Sequence, residues 1–215
     1  MATANLIGRV ESINVGSPRQ VQWHGRTVTT AIWKEPVSGR VVAGGVNLAG
    51  DDQADRRVHG GPTKAIYAYA LEDYHWWEGE LGAPLAPGAF GDNLTVCGID
   101  LRDAVVGERW RIGTATLRVT EPRIPCFKLG IRMADTAFVQ RFAAAARPGT
   151  YLAIEQGGDL GAGDAIDLVD RPRHHVTVGD VERAYHGRDD LVRRLADLDD
   201  LSASWRRWAQ RRLSR

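Results

Sequence analysis

From about residue 6 to residue 170 the chain alternates short apolar and polar runs broken by glycine, the pattern of β-strands closed by turns. Ile7–Val15, Thr27–Trp33, Arg40–Val46, Ala65–Ala70, Asn93–Val96, Glu108–Ile112, Thr116–Thr120, Tyr151–Glu155 and Ala165–Val169 read as strands. They are rich in the β-branched and aromatic residues that suit a pleated, half-buried surface. Gly113-Thr114-Ala115 fits a tight hairpin between two of them. Many short strands with glycine turns predict a barrel or sandwich rather than a doubly wound sheet. Two helices interrupt the pattern. Glu72–Leu81 places Tyr74, Trp77 and Leu81 on one face and stops at Gly82, and Asp135–Ala146 aligns Phe138, Phe142 and Ala145 before Pro148-Gly149. Both aromatic stripes read as core-facing.

Arg171-Pro172 closes the β region, and the texture then becomes helical. Val178–Tyr185 has Thr177 as its cap and Gly187 as its stop, Asp190–Leu198 carries Leu191, Leu195 and Leu198, and Ser204–Leu213 carries Trp205 and Trp208. Each is too short to be stable alone, so they are expected to pack on the barrel or on each other. The predicted organisation is a mainly β barrel with a few helices over residues 1–170, followed by a three-helix appendage over 171–215.

The 215-residue length and 43% hydrophobic content suit a domain with a real core. A net charge of +1 sets up no global field toward nucleic acid or membrane. No apolar run reaches the roughly 20 residues of a spanning helix, and the N-terminus has no apolar h-region. Two cysteines without secretory context argue against a disulfide framework, so a reducing, cytoplasmic setting is expected. Of the 28 cations only Lys34, Lys64 and Lys128 are lysines, which singles out each of them.

The sharpest candidate chemistry is Glu121-Pro-Arg-Ile-Pro-Cys126-Phe-Lys128-Leu. Pro122 and Pro125 stiffen the loop, and Arg123 and Lys128 give the thiol a cationic setting that favours thiolate, the form that binds soft metals. The alternative is a small buried hydrophobe. In Asp51-Asp-Gln-Ala-Asp55-Arg-Arg-Val-His59-Gly60-Gly61-Pro-Thr-Lys64, the glycine backbone, His59 and Lys64 could converge on an anion such as phosphate. Gly-Gly-Pro is also plain turn chemistry, which the pattern alone favours. Asn93, in Phe90-Gly-Asp-Asn-Leu94, could address a heterocycle or satisfy its own turn. Lys34, at a strand end, is a lesser candidate because such lysines are usually solvated. Cys97, in an apolar strand, reads as core. Zinc spacings, nucleophile elbows and dinucleotide fingerprints are absent. His174-His175 reads as a linker. The tail from Trp205 mixes tryptophan with five arginines, which could contact nucleic acid but more often forms an amphipathic helix neutralised by Asp197–Asp200.

Taken together, the segments 51–64, Tyr67-Ala-Tyr with Tyr74-His-Trp-Trp77, 87–94 and 121–129 resemble the MOSC family, the molybdenum cofactor sulfurase C-terminal domain, in its YiiM-like branch. The tail, including Leu201-Ser-Ala-Ser-Trp205, resembles that branch's three-helix appendage. The resemblance implies a β-barrel holding a molybdenum–molybdopterin cofactor. Cys126 would ligate molybdenum with Arg123 and Lys128 beside it, and His59, Gly60, Gly61, Lys64, Asn93 and Lys34 would line the pocket. The implied chemistry is reduction of N-hydroxylated amines or bases, as in detoxification of hydroxylaminopurine-type compounds. One departure is Asp92, where the family commonly has Glu.

The chain carries no flavin, haem or ferredoxin module, so a reductase of this kind would draw electrons from a separate partner protein. The same cysteine also admits a non-redox reading, in which Cys126 carries sulfur as a persulfide or the protein carries cofactor without turnover. The small-molecule substrate, no membrane and no nucleic acid complete the expected partners. Barrels of this size often dimerise, so a homodimer is among the expected assemblies.

Overall fold

The computed structural model describes residues 5–54 and 60–214. In chain order, β1 (Asn5–Val15) is followed by β2 (Arg19–Trp23), β3 (Arg26–Thr30), β4 (Glu35–Pro36), β5 (Arg40–Gly44) and β6 (Asn47–Leu48). A 3-10 turn at Pro62–Lys64 leads into β7 (Ile66–Ala70), α1 (Leu71–Leu81) and β8 (Leu94–Cys97). Next come β9 (Arg109–Ile112), β10 (Ala115–Pro122), α2 (Phe127–Arg132) and α3 (Phe138–Ala144). β11 (Thr150–Gln156), β12 (Gly158–Gly161) and β13 (Ala165–Asp170) precede α4 (Val178–Tyr185), α5 (Asp189–Ala196) and α6 (Ala203–Leu213).

β1, β13, β9, β10, β11, β7 and β8 close into a seven-stranded barrel, because β13 pairs with β1 as well as with β9. Closure removes the sheet edges that would otherwise invite pairing with another chain. β7 and β8 run parallel, a pairing no tight hairpin can make, and α1 lies in the crossover between them. β7 shows why its sequence is continuously apolar. Ile66, Ala68 and Ala70 join the barrel core, while Tyr67 and Tyr69 join a second, aromatic cluster outside it with Tyr74, Trp77, Phe90, Phe138 and Phe142. Both faces of this strand are therefore covered. Trp77 and Phe142 stack with ring centroids 5.9 Å apart and planes 3° apart, fixing α1 against α3.

Two small sheets lie outside the barrel. β12, β5 and β6 form one, pinned by Arg40 between Asp159 (2.9 Å) and Asp164 (3.0 Å). β2 and β3 form the other and pair only with each other among the described residues. The C-terminal helices bury a third apolar cluster, including Val181, Leu195, Leu201 and Trp205, against Val106 and Val176. The tail therefore folds onto its own barrel. α4 has the bounds its pattern predicts, with a reciprocal capping box between Thr177 and Asp180. On α6 Trp205 is buried, and Arg206 pairs with Asp199 at 2.8 Å, the local neutralisation expected of the acidic run.

Several expectations need correction. Thr27–Trp33 is not one strand: β3 ends at Thr30 and finds its partner in Arg19–Trp23, which the sequence reading passed over. His24 and Gly25 turn the hairpin with φ of +47° and +74°, both positive as a two-residue type I′ connection requires. Cys97 is not core. It is half-buried, and its thiol donates to Glu11 Oε1 at 2.9 Å. His174 does more than link, because its Nδ1 accepts from Val176 N at 2.9 Å and its Nε2 lies 3.3 Å from Asp200.

Candidate functional site

The outer face of β7 and β11 presents Tyr67 and Tyr151, cross-strand partners whose rings stand 5.2 Å apart. β10 ends beside them at Pro122. The stiff segment after it turns at Cys126, which occupies the N-terminal boundary of α2 in extended geometry. An open cleft of about 580 Å³, mouth included, lies between this face, the irregular segment after β3, and residues 52–54. Lys34, Lys64, Asn93, Arg123, Cys126 and Lys128 all line it. Every lysine of the chain thus meets the one half-buried thiol of the stiff loop. Gly60 and Gly61 do not line the cleft. Gly61 serves the turn, with φ of +94° and its carbonyl accepting from Lys64 N at 3.0 Å. His59 and Asp55 lie outside the described residues.

The back wall is a buried polar frame. Asp92 accepts from the Tyr74 hydroxyl at 2.6 Å, the Thr95 hydroxyl at 2.8 Å and Asn14 Nδ2 at 3.3 Å. Burial pushes its carboxyl above the ordinary range. Asp92 is thus held by three partners. Asn93 is engaged at both ends of its amide: Oδ1 accepts from Tyr67 N at 3.1 Å and Nδ2 donates to the Asn14 carbonyl at 3.2 Å. It clamps β7 to β1 while lining the cleft, rather than satisfying its own turn. Gly91 lets the wall close up, since a Cβ there would stand 2.9 Å from Ile32 Cγ1. Arg123 is buried, donates to the Phe90 carbonyl, and lies 4.9 Å from the Tyr67 ring centroid. Burial opposes its charge, but the Tyr67 and Tyr151 hydroxyls and Cys126 outweigh that and raise its pKa. Burial also raises both phenols, Tyr151 to about 12.

The front wall is different. Lys34 is buried, not solvated as its strand-end position suggested, and is ion-paired with buried Asp51, whose Oδ1 also accepts from Gly16 N at 2.9 Å. Lys64 is partly exposed, 3.3 Å from Oε1 of buried Glu121 and 5.8 Å from the Tyr151 ring centroid. Glu121 Oε2 and Gln53 Oε1 are buried acceptors with no hydrogen-bond partner. Tyr67, Tyr151 and Gln53 were not singled out as site residues from the sequence. The apolar alternation of β7 was visible, but only ring closure shows which face meets the cleft.

The residues fit a phosphate-bearing, metal-carrying organic cofactor. Four cationic side chains suit an anionic phosphate, and the orphaned Gln53 Oε1 suits an N–H-rich heterocycle. A thiol suits a thiophilic metal. Among the described residues no trio of His, Cys, Asp or Glu converges as a metal cage. Among the described residues the cleft offers one soft donor, the Cys126 thiol.

Comparison with known proteins identifies the family. The MOSC domain model matches residues 55–167. The uncharacterized protein YflK of Bacillus subtilis is 34% identical over 200 residues, covering 92% of this chain and 90% of that one. A Gibberella moniliformis protein named Reductase is 30% identical over 183 residues, covering 82% of this chain and 32% of its own length. The crystal structure of YiiM from Geobacillus stearothermophilus matches with a TM-score of 0.80 at 31% identity, covering 96% of this chain and 99% of that one.

Proposed function

The chain belongs to the MOSC domain family, and on that premise we propose that it is a molybdenum-cofactor-dependent reductase of N-hydroxylated amines or nucleobases. MOSC domains are associated with the molybdenum cofactor in general, and one relative bears the name Reductase. The observation that carries the finer reading is the gathering of Lys34, Lys64, Lys128 and Arg123 around the cleft that exposes Cys126.

In this reading Cys126 gives its thiolate to the metal, and the cations hold the cofactor phosphate or an anionic substituent of the substrate. Lys34, fixed by Asp51, and Arg123, fixed by the Phe90 carbonyl, present charge in set directions. Tyr67 and Tyr151 stay protonated at neutral pH, and their rings, tilted 43° to one another, form an aromatic wall that an aromatic amine can contact. When bound, the cofactor supplies the two-electron redox chemistry. Reducing R–NHOH to R–NH2 breaks the N–O bond, consumes two electrons and two protons, and releases water. Lys64, partly exposed with Glu121 behind it, can hold one of those protons at Nζ and refill from solvent.

The test is molybdenum and pterin content of protein from a cofactor-competent host, with turnover of a hydroxylaminopurine, for wild type and Cys126→Ala. Near-stoichiometric metal and turnover in the wild type, both lost in the variant, are expected. Equal metal in the two proteins sinks the assignment of Cys126. A persulfide on Cys126 in protein isolated without reductant, with no metal, would replace this reading with sulfur carriage.

A further inference from the structure

β10 pairs with β11 as far as Pro122, opposite Thr150, and α2 begins at Phe127. Arg123, Ile124, Pro125 and Cys126 belong to no strand or helix. Ladder pairing therefore does not fix the path of the segment that carries the thiol. Its side chains have to do so, and they diverge. Arg123 is buried in the back wall of the cleft, donating to the Phe90 carbonyl. Ile124 packs instead against the apolar cluster of the C-terminal helices, which includes Val181, Leu195 and Trp205. Pro125 lines a narrow cavity of about 180 Å³ shared with Phe142 of α3 and with Glu182 and His186 of α4.

The support behind Ile124 is itself fastened to the barrel. Val106 N donates to the Val176 carbonyl and Val178 N to the Ala104 carbonyl, both at 2.9 Å. The Val178 side chain joins the barrel core. Arg118, on the strand that leads into the loop, donates to the Asp200 carbonyl between α5 and α6 at 3.1 Å. The tail thus grips β10 through Arg118 and the loop beyond it through Ile124. The two residues that follow the anchor are stiff. Proline fixes φ at Pro125 and holds Ile124, as the residue before it, in extended conformations. From Ile124 to Cys126 is at most about 7 Å of chain.

We propose that Ile124 is a positioning residue for Cys126, and that the C-terminal helices are the rear seat of the thiol-bearing loop. The proposal rests on the reading of Cys126 as the functional thiol of the cleft. A short stiff link between anchor and thiol means that the place of Ile124 in the tail cluster sets where the sulfur stands against Arg123 and Lys128. A group that ligates or reacts has to be held to within about 0.5 Å, and the packing behind it is what holds it. Here that packing comes from α4 and its neighbours, so the tail acts on the cleft although Trp205, Val181 and Leu195 do not line it.

The test follows iodoacetamide labelling of the full-length chain, grown without molybdate, by mass spectrometry at Cys126 and at Cys97. Cys97 is the internal reference, since it ends β8, whose Leu94 and Val96 belong to the barrel core and not to the tail cluster. Ile124→Ala from the loop side and Val181→Ala from the tail side are compared with Ile124→Val. Each alanine variant is expected to slow Cys126 labelling at least about threefold, because the thiol leaves its cationic setting, with Cys97 within about twofold of wild type. Ile124→Val keeps a branched anchor and should label as wild type does. In protein from a cofactor-competent host, the alanine variants should retain less than about half the molybdenum of the wild type. Parallel changes at the two cysteines would mean general loosening and would overturn the proposal. So would an unchanged Cys126 rate in both alanine variants, or a faster one, which would make the tail a shield instead of a seat. Wild type without molybdenum would remove the reductase reading, while the labelling contrast would still decide the role of Ile124.

Discussion

Behind the cleft, Asp92, Asn93, Asn14, Tyr74 and Thr95 form a buried cluster in which every polar side chain has a side-chain or backbone partner, whereas at its front Glu121 Oε2, Gln53 Oε1 and Asp51 Oδ2 are buried with none. A buried acceptor left unpaired costs about 1–3 kcal/mol. Of the three residues, only Gln53 lines the cleft, while Asp51 and Glu121 lie behind Lys34 and Lys64. Gln53 Oε1 is thus the unpaired acceptor that a ligand in the cleft could reach, and the back is the frame that holds Tyr67 and Arg123 in place.

The contrast breaks most visibly at Asp92. Asp92→Ala strands the Tyr74 and Thr95 hydroxyls and the Asn14 amide in the core. A loss of about 3–5 kcal/mol is expected, read as a lower urea midpoint with an unchanged m-value. The pH dependence has a definite sign. Because burial raises the Asp92 pKa, the folded state holds this proton more tightly than the unfolded chain. The group's contribution is full below the ordinary value of 3.8 and is lost as pH rises through the raised value. Asp92→Asn cannot ionise and should gain on wild type as pH climbs above 3.8. A difference that stays flat with pH would mean that the carboxyl titrates normally and the frame is less dry than described.

The lysines divide along the same line. Lys34→Ala leaves Asp51 buried without its cation and should cost about 3 kcal/mol. Lys128→Ala, at a half-buried position with no carboxylate partner among the described residues, should stay within about 0.5 kcal/mol of wild type while reducing the molybdenum retained on purification. Thermal melts and metal analysis of the same samples separate the two. If Lys128→Ala melts as early as Lys34→Ala, the front wall is structural after all.

Much of this was legible in the sequence, for identifiable reasons. Strands with strong two-residue alternation and a helix with its own cap, Thr177 ahead of α4, carry their boundaries locally. Scarcity of lysine pointed to Lys34, Lys64 and Lys128 before any contact was known, and all three meet in the cleft. The misses are non-local. The six residues of α2 have no side-chain cap and too little length to show a period, and they form a helix because Leu129 and Ile131 bury beneath them. β12 is four residues, two of them glycine, and exists only as the partner of β5. Asn93 looked like a ligand or a turn residue, yet its amide joins strands whose residues lie 26 and 79 positions away. The His24-Gly25 turn was readable in principle, but it was masked by treating the β-prone run after it as one strand.

The smallest expected effect comes from the other cysteine, which tests whether chemistry at the cleft owes anything to its cations. Cys97 is also half-buried, but its thiol donates to Glu11 at 2.9 Å, and burial first and that carboxylate second push its pKa up despite nearby Arg9. Thiolate is the nucleophile, so Cys97 should be alkylated by iodoacetamide at neutral pH more slowly than an unperturbed cysteine. Glu11→Gln removes the negative charge and should speed labelling of the Cys97 peptide, followed by mass spectrometry. Cys97→Ala should cost under about 1 kcal/mol, because the side chain is not part of a packed core. Should Glu11→Gln leave the labelling rate unchanged, neighbouring charge would not govern thiol reactivity in this barrel. The cationic setting of Cys126 would then lose its chemical meaning and would have to be explained by cofactor phosphate alone.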